Sequence, residues 1–385
     1  MTNPVRTDVV IVGGGAIGCA IAREAAVRGL DVMVVERDTL CSGSSSANPG
    51  VVALVTKAPG LTARLAKASV SRFHDLAKEL EEFQFLPGGS LLIFESSEER
   101  SFALRRADDL LSDGVPVEIL GPDEAKRVQP LLEGDFLGAV WSRSDATVDP
   151  TAFTFALANS ARASGAQFLE HSEVVGVDLV SGRVNSIRTR DQRIECRWLV
   201  NAAGVWSSSI GRMVGRDHQV VPRRGQLFRT GPLADVALVR VTSTAELMAK
   251  EGRFDAPRIG VGITPKPDGS VIVGGSHEPV ALTDELDRRV LPAIALRATK
   301  LFPRLVEAEV TDAWSGHRPH SLTGSPLMGA DREVEGYIVA TGHGGDGIAL
   351  APVTGAYVGE LLASGNPMLT VQQFLDTELA RLPRS

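Results

Sequence analysis

The stretch from Asp8 to Arg37, DVVIVGGGAIGCAIAREAAVRGLDVMVVER, decides how the rest of the chain is read. An apolar run, Val9-Val10-Ile11-Val12, leads into Gly13-Gly14-Gly15-Ala16-Ile17-Gly18. A helical stretch from Cys19 to Gly29 follows, then a second apolar run, Val32-Met33-Val34-Val35, that ends on Glu36. The order is strand, glycine turn, helix, strand, acid. Gly13 permits a tight turn, Gly15 lets a pyrophosphate approach the backbone, and Gly18 lets helix and strand pack closely. The helix N-terminus offers unpaired N–H groups and the positive end of a dipole to phosphates. Glu36 stands about 20 residues on, where a carboxylate can accept a bond from a ribose hydroxyl. A lone GxGxxG carries little weight, but with both strands, the helix and the acid it predicts a dinucleotide site.

Composition narrows the remaining classes. The chain has 385 residues, 43% hydrophobic and 23% charged, which suits a large core or two domains. A net charge of −7 without a basic block argues against nucleic acid as a partner. Cys19, Cys41 and Cys196 are scattered, without CxxC spacing, which fits a reducing, cytoplasmic setting and no metal site. No apolar run approaches 18 residues, so no transmembrane helix is expected, and the early first strand leaves no room for a signal peptide.

Along the chain, Leu40 to Gly50 reads as a Ser-, Gly- and Asn-rich loop and Leu61 to Phe83 as a long amphipathic helix. Asp149-Pro150 is a helix start with Asp as N-cap. Arg197 to Asn201 reads as a buried strand running into Ala202-Ala203-Gly204-Val205-Trp206. Strand-like segments fill Pro222 to Ser276, Leu286 to Phe302 is a helix, and Val310 onward is a strand emerging into a loop at Gly316-His317-Arg318-Pro319. The last unit is the strand Tyr337 to Ala340, a glycine loop and a helix from Ile348 to about Ser364. Gly342, Gly344 and Gly347 form a second GxGxxG, but no buried strand with a terminal acid follows, so a second dinucleotide domain is not assigned. Trp141, Trp206 and Trp314 read as core.

In order, these segments resemble the D-amino-acid oxidase and glycine oxidase family of FAD-dependent amine oxidoreductases. The residues that carry the resemblance are GGGAIG with Glu36, the loop Ser44 to Gly50, and Val148-Asp149-Pro150. Leu199 to Trp206 is similar to the family's VVNAAGAW, Arg224-Gly225-Gln226 to its RGQ, Gly316 to Pro319 to its GLRP, and Ala340 to Ile348 to its ATGHxxxGI. The resemblance implies an α/β fold: a Rossmann-like FAD-binding domain from residues 1–85, 148–215 and 325–385, and a mostly antiparallel β-sheet substrate domain from 86–147 and 216–324. It also implies non-covalent FAD, because family members with a covalent link use a cysteine later in the chain than any present here.

The resemblance carries FAD contacts onto the glycine turn (Gly13, Gly15, Ala16, Ile17, Gly18) and onto Glu36 and Arg37. It extends them to the loop residues Ser44, Ser45, Ser46, Asn48, Gly50 and Val51, then to Val174 and Val175, and to Ala203, Gly204 and Trp206. The final contacts are His343, Gly344, Gly345, Asp346, Gly347 and Ile348, a loop whose helix start favours negative charge on a reduced flavin. Arg318 is the expected carboxylate anchor, able to hold a substrate by two parallel bonds. Gly345, at the reacting end with Arg318, stands where glycine oxidases often carry an arginine. Gly262 stands where they place a tyrosine, and the only tyrosines are Tyr337 and Tyr357, so a pocket wider than glycine needs is expected. His277 either contacts substrate or lies on the surface. Phe228, Met248 and Phe254 are further lining candidates, though each suits a core.

The resulting expectation is an oxidase of a carboxylate-bearing amine, an N-substituted glycine or another amino acid larger than glycine, with oxygen as electron acceptor. Two alternatives stand beside it: the FAD subunit of an amino-acid- or opine-type dehydrogenase that passes electrons to a partner or quinone, and a flavin-binding protein without turnover.

Overall fold

The computed structural model describes residues 5–80, 83–234, 236–251, 258–283 and 285–380. Two eight-stranded sheets divide the chain. In the first, Val5–Val12 lies between Val32–Val35 and Arg193–Asn201, parallel to both, and Val32–Val35 pairs in turn with Gln167–Leu169. Strands covered on both faces are apolar throughout. Val9, Ile11, Val32 and Val34 face one core, and Val10, Val12, Met33 and Val35 face the other. Arg193–Asn201 has a divided outer edge. Its first part pairs antiparallel with Arg183–Arg188, and its end pairs parallel with Tyr337–Thr341.

The helices Ala16–Val27, Pro150–Ala163 and Gly347–Ser364 cover the first core. Asp149 caps the second by accepting from the Ala152 amide at 2.8 Å, with Pro150 at the first helical position. Small residues let the other two meet closely: a side chain on Gly355 would come within 2.7 Å of the Ala20 carbonyl oxygen. By length and composition Gly344–Ser364 could cross a membrane, contrary to the expectation from sequence, yet 78% of its apolar window is buried in this packing.

The second sheet runs in the order Val310–Ser321, Val220–Thr230, Val271–His277, Arg258–Pro265, Arg240–Ser243, Ser90–Phe94, Gly138–Ser142, Glu118–Leu120. Every pairing is antiparallel except that of Ser90–Phe94 with Arg240–Ser243. The helix Val290–Leu301 packs on its outer face, with Phe228 and Trp141 in that core. This is the α/β architecture with a separate, mostly antiparallel sheet.

Several element boundaries differ from expectation. The helix at Leu61 ends at Glu79, where Leu80 turns extended, and the helix expected from Leu286 begins at Val290. The segment Gly316 to Pro319 does not leave the sheet. Its strand continues to Ser321, with Pro319 opposite Pro222. Proline is tolerated there because this is an edge strand, with a neighbouring strand of the sheet on one side only.

Candidate active site

A continuous cavity of about 890 Å³ lies between the two sheets. At one end are Glu36, Arg37 and Trp206, and at the other Arg318, Arg240 and His277. Glu36 accepts from the Gly14 amide at 2.7 Å and from the Asp38 amide at 2.9 Å, so it fixes the glycine turn while lining the cavity. The Arg37 guanidinium lies 3.7 Å from the Trp206 ring centroid, a cation–π contact. Trp206 is therefore part of the cavity wall rather than core.

The middle of the cavity is shaped by backbone. Gly13 has φ +110°, and a side chain there would sit 2.6 Å from the Ala202 carbonyl oxygen. A side chain on Gly15 would sit 2.8 Å from Ser45 Oγ, which accepts from the Ala16 amide at 3.0 Å. Ala16, Ile17, Ala203 and Gly204 complete this stretch. A cradle open only because it lacks side chains, beside a helix N-terminus, fits an elongated dinucleotide. Ser44, Ser45, Asn48 and Val51 line it too. Asn48 holds the loop by donating to the Ser45 carbonyl at 2.7 Å and accepting from the Gly50 amide at 2.8 Å. Ser44 Oγ donates to the His317 carbonyl, and Trp314 Nε1 donates to the Ala47 carbonyl at 3.2 Å, which ties the loop to the second sheet.

Four expected contacts lie off the cavity wall. Ser46 is exposed and bonds back to the Gly43 carbonyl. Val175 is 44% exposed, because extended backbone turns it away from buried, cavity-lining Val174. Gly50 (φ +75°) backs onto the Val148 carbonyl instead. Gly18 packs against the Gly13 carbonyl oxygen, the helix–strand contact expected of it.

At the far end the second sheet presents one face by strand alternation: Arg223, Gly225 and Leu227 on one strand, Gly316, Arg318 and His320 on its neighbour. The other face of RGQ is structural. Arg224 and Gln226 point away and bond to Glu278, which is 1% exposed, with the Arg224 Nη2 contact at 2.6 Å. Gly225 between them leaves room for the Arg318 guanidinium directly above it. Arg318 Nη1 donates to the Ser276 carbonyl at 3.1 Å. Burial lowers the Arg318 pKa, opposed by Glu246, Asp346 and Glu278, and a guanidinium stays charged under such a shift.

Gly345 lies against Arg318, where a side chain would be 3.4 Å from its Cδ and Nε. Gly344, Gly345 and Asp346 form a turn of 3₁₀ helix from which Gly347 and Ile348 begin the long helix, and all of them line the cavity. His343 is buried, 3.0 Å from Thr354 Oγ1, and burial pulls its pKa down to about 4. His277 is not at the surface. It is 3% exposed, lines the cavity, and places Nε2 3.0 Å from Glu246 Oε1. Of the other lining candidates, Phe228 belongs to the outer core, Met248 is not on the cavity wall, and Phe254 lies outside the described residues.

Sequence reasoning missed Lys57, Arg223, Arg240 and Glu246, all of which line the cavity. Lys57 is 2% exposed and its Nζ is 2.6 Å from Asp346 Oδ1. Arg240 is 8% exposed, and its Nη2 lies 3.4 Å from where a side chain on Gly262 would begin. A single charge inside Val239-Arg240-Val241 was the only trace of it in the sequence.

Comparison with known proteins agrees with this geometry. The profile of the family described as "DAO: FAD dependent oxidoreductase" matches residues 8–361. The chain is 31% identical over 368 residues to a glycine oxidase of Geobacillus kaustophilus (strain HTA426), covering 93% of each. Among solved structures, glycine oxidase from Geobacillus kaustophilus superposes with a TM-score of 0.85 at 28% identity, over 96% of this chain and 98% of that one. L-proline dehydrogenase from P. horikoshii superposes at 0.84 and 26% identity, over 99% and 100%.

Proposed function

Because the chain belongs to the DAO family of FAD dependent oxidoreductases, we propose that it oxidises a carboxylate-bearing amine larger than glycine at its α-carbon. The product is an imine that water hydrolyses to an oxo acid and an amine or ammonia. The similarity to glycine oxidases over nearly the whole chain supports an amino-acid-like substrate. The observation that carries the reading is the Arg318 guanidinium, presented to the cavity between two glycines, Gly225 and Gly345. With no side chain at either, a carboxylate can reach its outer nitrogens and be held by two parallel charge-assisted bonds. Gly262, in place of a tyrosine, leaves further room beside it.

FAD, held without a covalent link, supplies the hydride acceptor. Gly13, Gly15, Ala16, Ser45, Ala203 and Gly204 would hold its pyrophosphate stretch, Glu36 and Arg37 its adenosine end, and Gly344 to Ile348 its reacting end. We divide the chain into an FAD domain (1–85, 148–215, 325–385) and a substrate domain (86–147, 216–324), a reading that the membership of the two eight-stranded sheets supports. Arg318 fixes the carboxylate and hence the α-carbon. Glu246, paired with His277, offers a carboxylate to the substrate's amine as it loses its proton.

The test is anaerobic flavin bleaching by a panel of D- and L-amino acids, glycine, sarcosine and longer N-alkyl glycines. Bleaching by none of them would overturn the proposal. Arg318→Ala should raise KM for carboxylate substrates by about 100-fold, the value of two charge-assisted bonds, while FAD stays bound; unchanged kinetics would remove Arg318 from the site. Oxygen is the proposed acceptor, giving peroxide. The equally extensive similarity to a dehydrogenase favours one second reading, electron transfer to another acceptor. Reoxidation by oxygen against reoxidation by a quinone-like dye separates the two.

A further inference from the structure

Arg240 is the feature of the cavity that the reading above leaves unused. It begins the strand Arg240–Ser243, which pairs with Arg258–Pro265 on one side and Ser90–Phe94 on the other, in the middle of the second sheet. A charge placed there is buried by construction, and the side chain is 8% exposed. Among the described residues its Nε and Nη1 have no hydrogen-bond partner, although both atoms are out of contact with solvent. An unpartnered buried donor costs about 1–3 kcal/mol, and more when it belongs to a charged group. A packed sheet normally removes such a residue or pairs it.

The guanidinium is directed into the cavity rather than into the sheet core. Arg240 lines the cavity, its Nη2 reaches the open space over Gly262, and the carboxylates whose charges oppose its burial are Glu246, Asp145, which the Ser142 hydroxyl and the Leu54 amide hold, and Asp346. Glu246 and Asp346 are also the first two carboxylates that act on Arg318, so both guanidinia face the same small volume. Neither carboxylate neutralises Arg240 by contact: Asp346 Oδ1 is held by Lys57 at 2.6 Å, and Glu246 Oε1 by His277 at 3.0 Å. Arg318 accounts for one substrate carboxylate. The space freed at Gly262 leads to Nη2 of a second cation.

We propose that the substrate carries two anionic groups, the α-carboxylate on Arg318 and a second carboxylate on Arg240, so that the amine is a dicarboxylic one: an acidic amino acid or an N-(carboxyalkyl) amino acid. This deepens the oxidase reading and rests on it for the position of the first carboxylate. Gly262 is then the residue that admits the second anion, and Arg240 is a specificity-determining residue. Because the second carboxylate lies away from the α-carbon, Arg240 acts on binding and orientation and holds no proton in the reaction.

The experiment separates binding from turnover. The FAD-loaded enzyme is titrated by calorimetry with succinate, glutarate and adipate, none of which has an amine to oxidise, and with the monocarboxylates of equal chain length. At least one dicarboxylate should bind on the order of 10-fold to 100-fold more tightly than its monocarboxylate partner, the worth of one charge-assisted hydrogen bond. Arg240→Met, close in volume and uncharged, should reduce that ratio to near one. Arg240→Lys should restore part of it. Flavin bleaching by glutamate against norvaline, and by N-(carboxymethyl)glycine against sarcosine, should show the same preference. If no dicarboxylate exceeds its monocarboxylate, or if the preference survives in Arg240→Met, the proposal is wrong. Oxidation of monocarboxylic amines without such a preference would overturn this inference alone, and failure of every amine to bleach the flavin would overturn the oxidase reading instead.

Discussion

Replacing Lys57 by methionine tests how the loop expected to face the cofactor is held. Lys57 Nζ lies 2.6 Å from Asp346 Oδ1, with the two side chains 2% and 13% exposed. At an effective dielectric of about 20, opposite unit charges at that separation attract by about 6 kcal/mol. Burial of the ammonium cancels much of this, so the pair need add little net stability, but removing one partner takes this counter-charge from the other while it stays buried. That loss is typically about 3–5 kcal/mol. Asp346 keeps a little exposure to the cavity, so Lys57→Met should cost near the lower end, about 3 kcal/mol. Adding Asp346→Asn removes the remaining charge, and the double variant should recover at least about half of that loss. The assay is urea unfolding of each variant at one fixed excess of FAD, because cofactor concentration itself contributes to apparent stability. A single variant within about 1 kcal/mol of the parent, or a double variant no more stable than the single one, would refute the argument that the ion pair is buried and that its members depend on each other.

Two further outcomes follow from the same geometry. His343 has a folded pKa near 4 against 6.5 for a free imidazole, so the unfolded chain binds the extra proton between those values. The contribution is fully present above pH 6.5 and is lost as pH falls toward 4, up to roughly 3 kcal/mol; His343→Asn should flatten that part of the stability–pH curve, and an unchanged slope would contradict it. At Gly18, a methyl group would overlap the backbone oxygen of Gly13, which cannot move without opening the turn. Gly18→Ala should therefore lose about 1–3 kcal/mol of stability and bind FAD more weakly. Gly15→Ala meets only the Ser45 side chain and should be milder; fluorescence titration with FAD and thermal melting would show equal effects if this ranking is mistaken.

The parts legible in the sequence were those whose physics is local. The apolar runs Val9 to Val12 and Val32 to Val35 need no register to be recognised as strands buried on both faces, and Asp149-Pro150 marks its own helix. Where a residue's role depends on which strand lies beside it, sequence says less. Arg240 between two valines looks like one polar position of an alternating strand. Only its place on the cavity wall beside Gly262, with two nitrogens unpartnered among the described residues, makes it a cavity cation. Val174 and Val175 are indistinguishable by type, and a one-residue step in extended backbone puts one on the cavity wall and the other in solvent. The sequence reads as a strand emerging into a loop at Gly316 to Pro319, and a proline in a central strand would forfeit a ladder bond. At the sheet edge it forfeits none, and the strand carries Arg318 at a fixed height over Gly225. Lys57 sits in a loop without periodicity, so its burial has no pattern to betray it.

The net charge of the whole chain and the charge at the Arg318 end of the cavity point in opposite directions. A net −7 would seem to disfavour an anionic substrate. At physiological ionic strength, however, exposed charges are screened over about 8 Å, whereas partly buried groups are screened much less. An anion inside the cavity therefore responds to its walls, where Arg223, Arg240, Arg318 and Lys57 face Glu246 and Asp346. Burial works against the charge on Arg223, Arg240 and Arg318 alike. Glu246, Asp145 and Asp346 offset part of that cost at Arg240, two of whose nitrogens have no hydrogen-bond partner among the described residues, and a ligand's negative charge would offset more. A monocarboxylic amine brings one such charge, which Arg318 consumes. A second carboxylate relieves the remaining one, so binding and the stability of the second sheet should rise together, and a substrate-sized dianion is the occupant that this wall is built to hold.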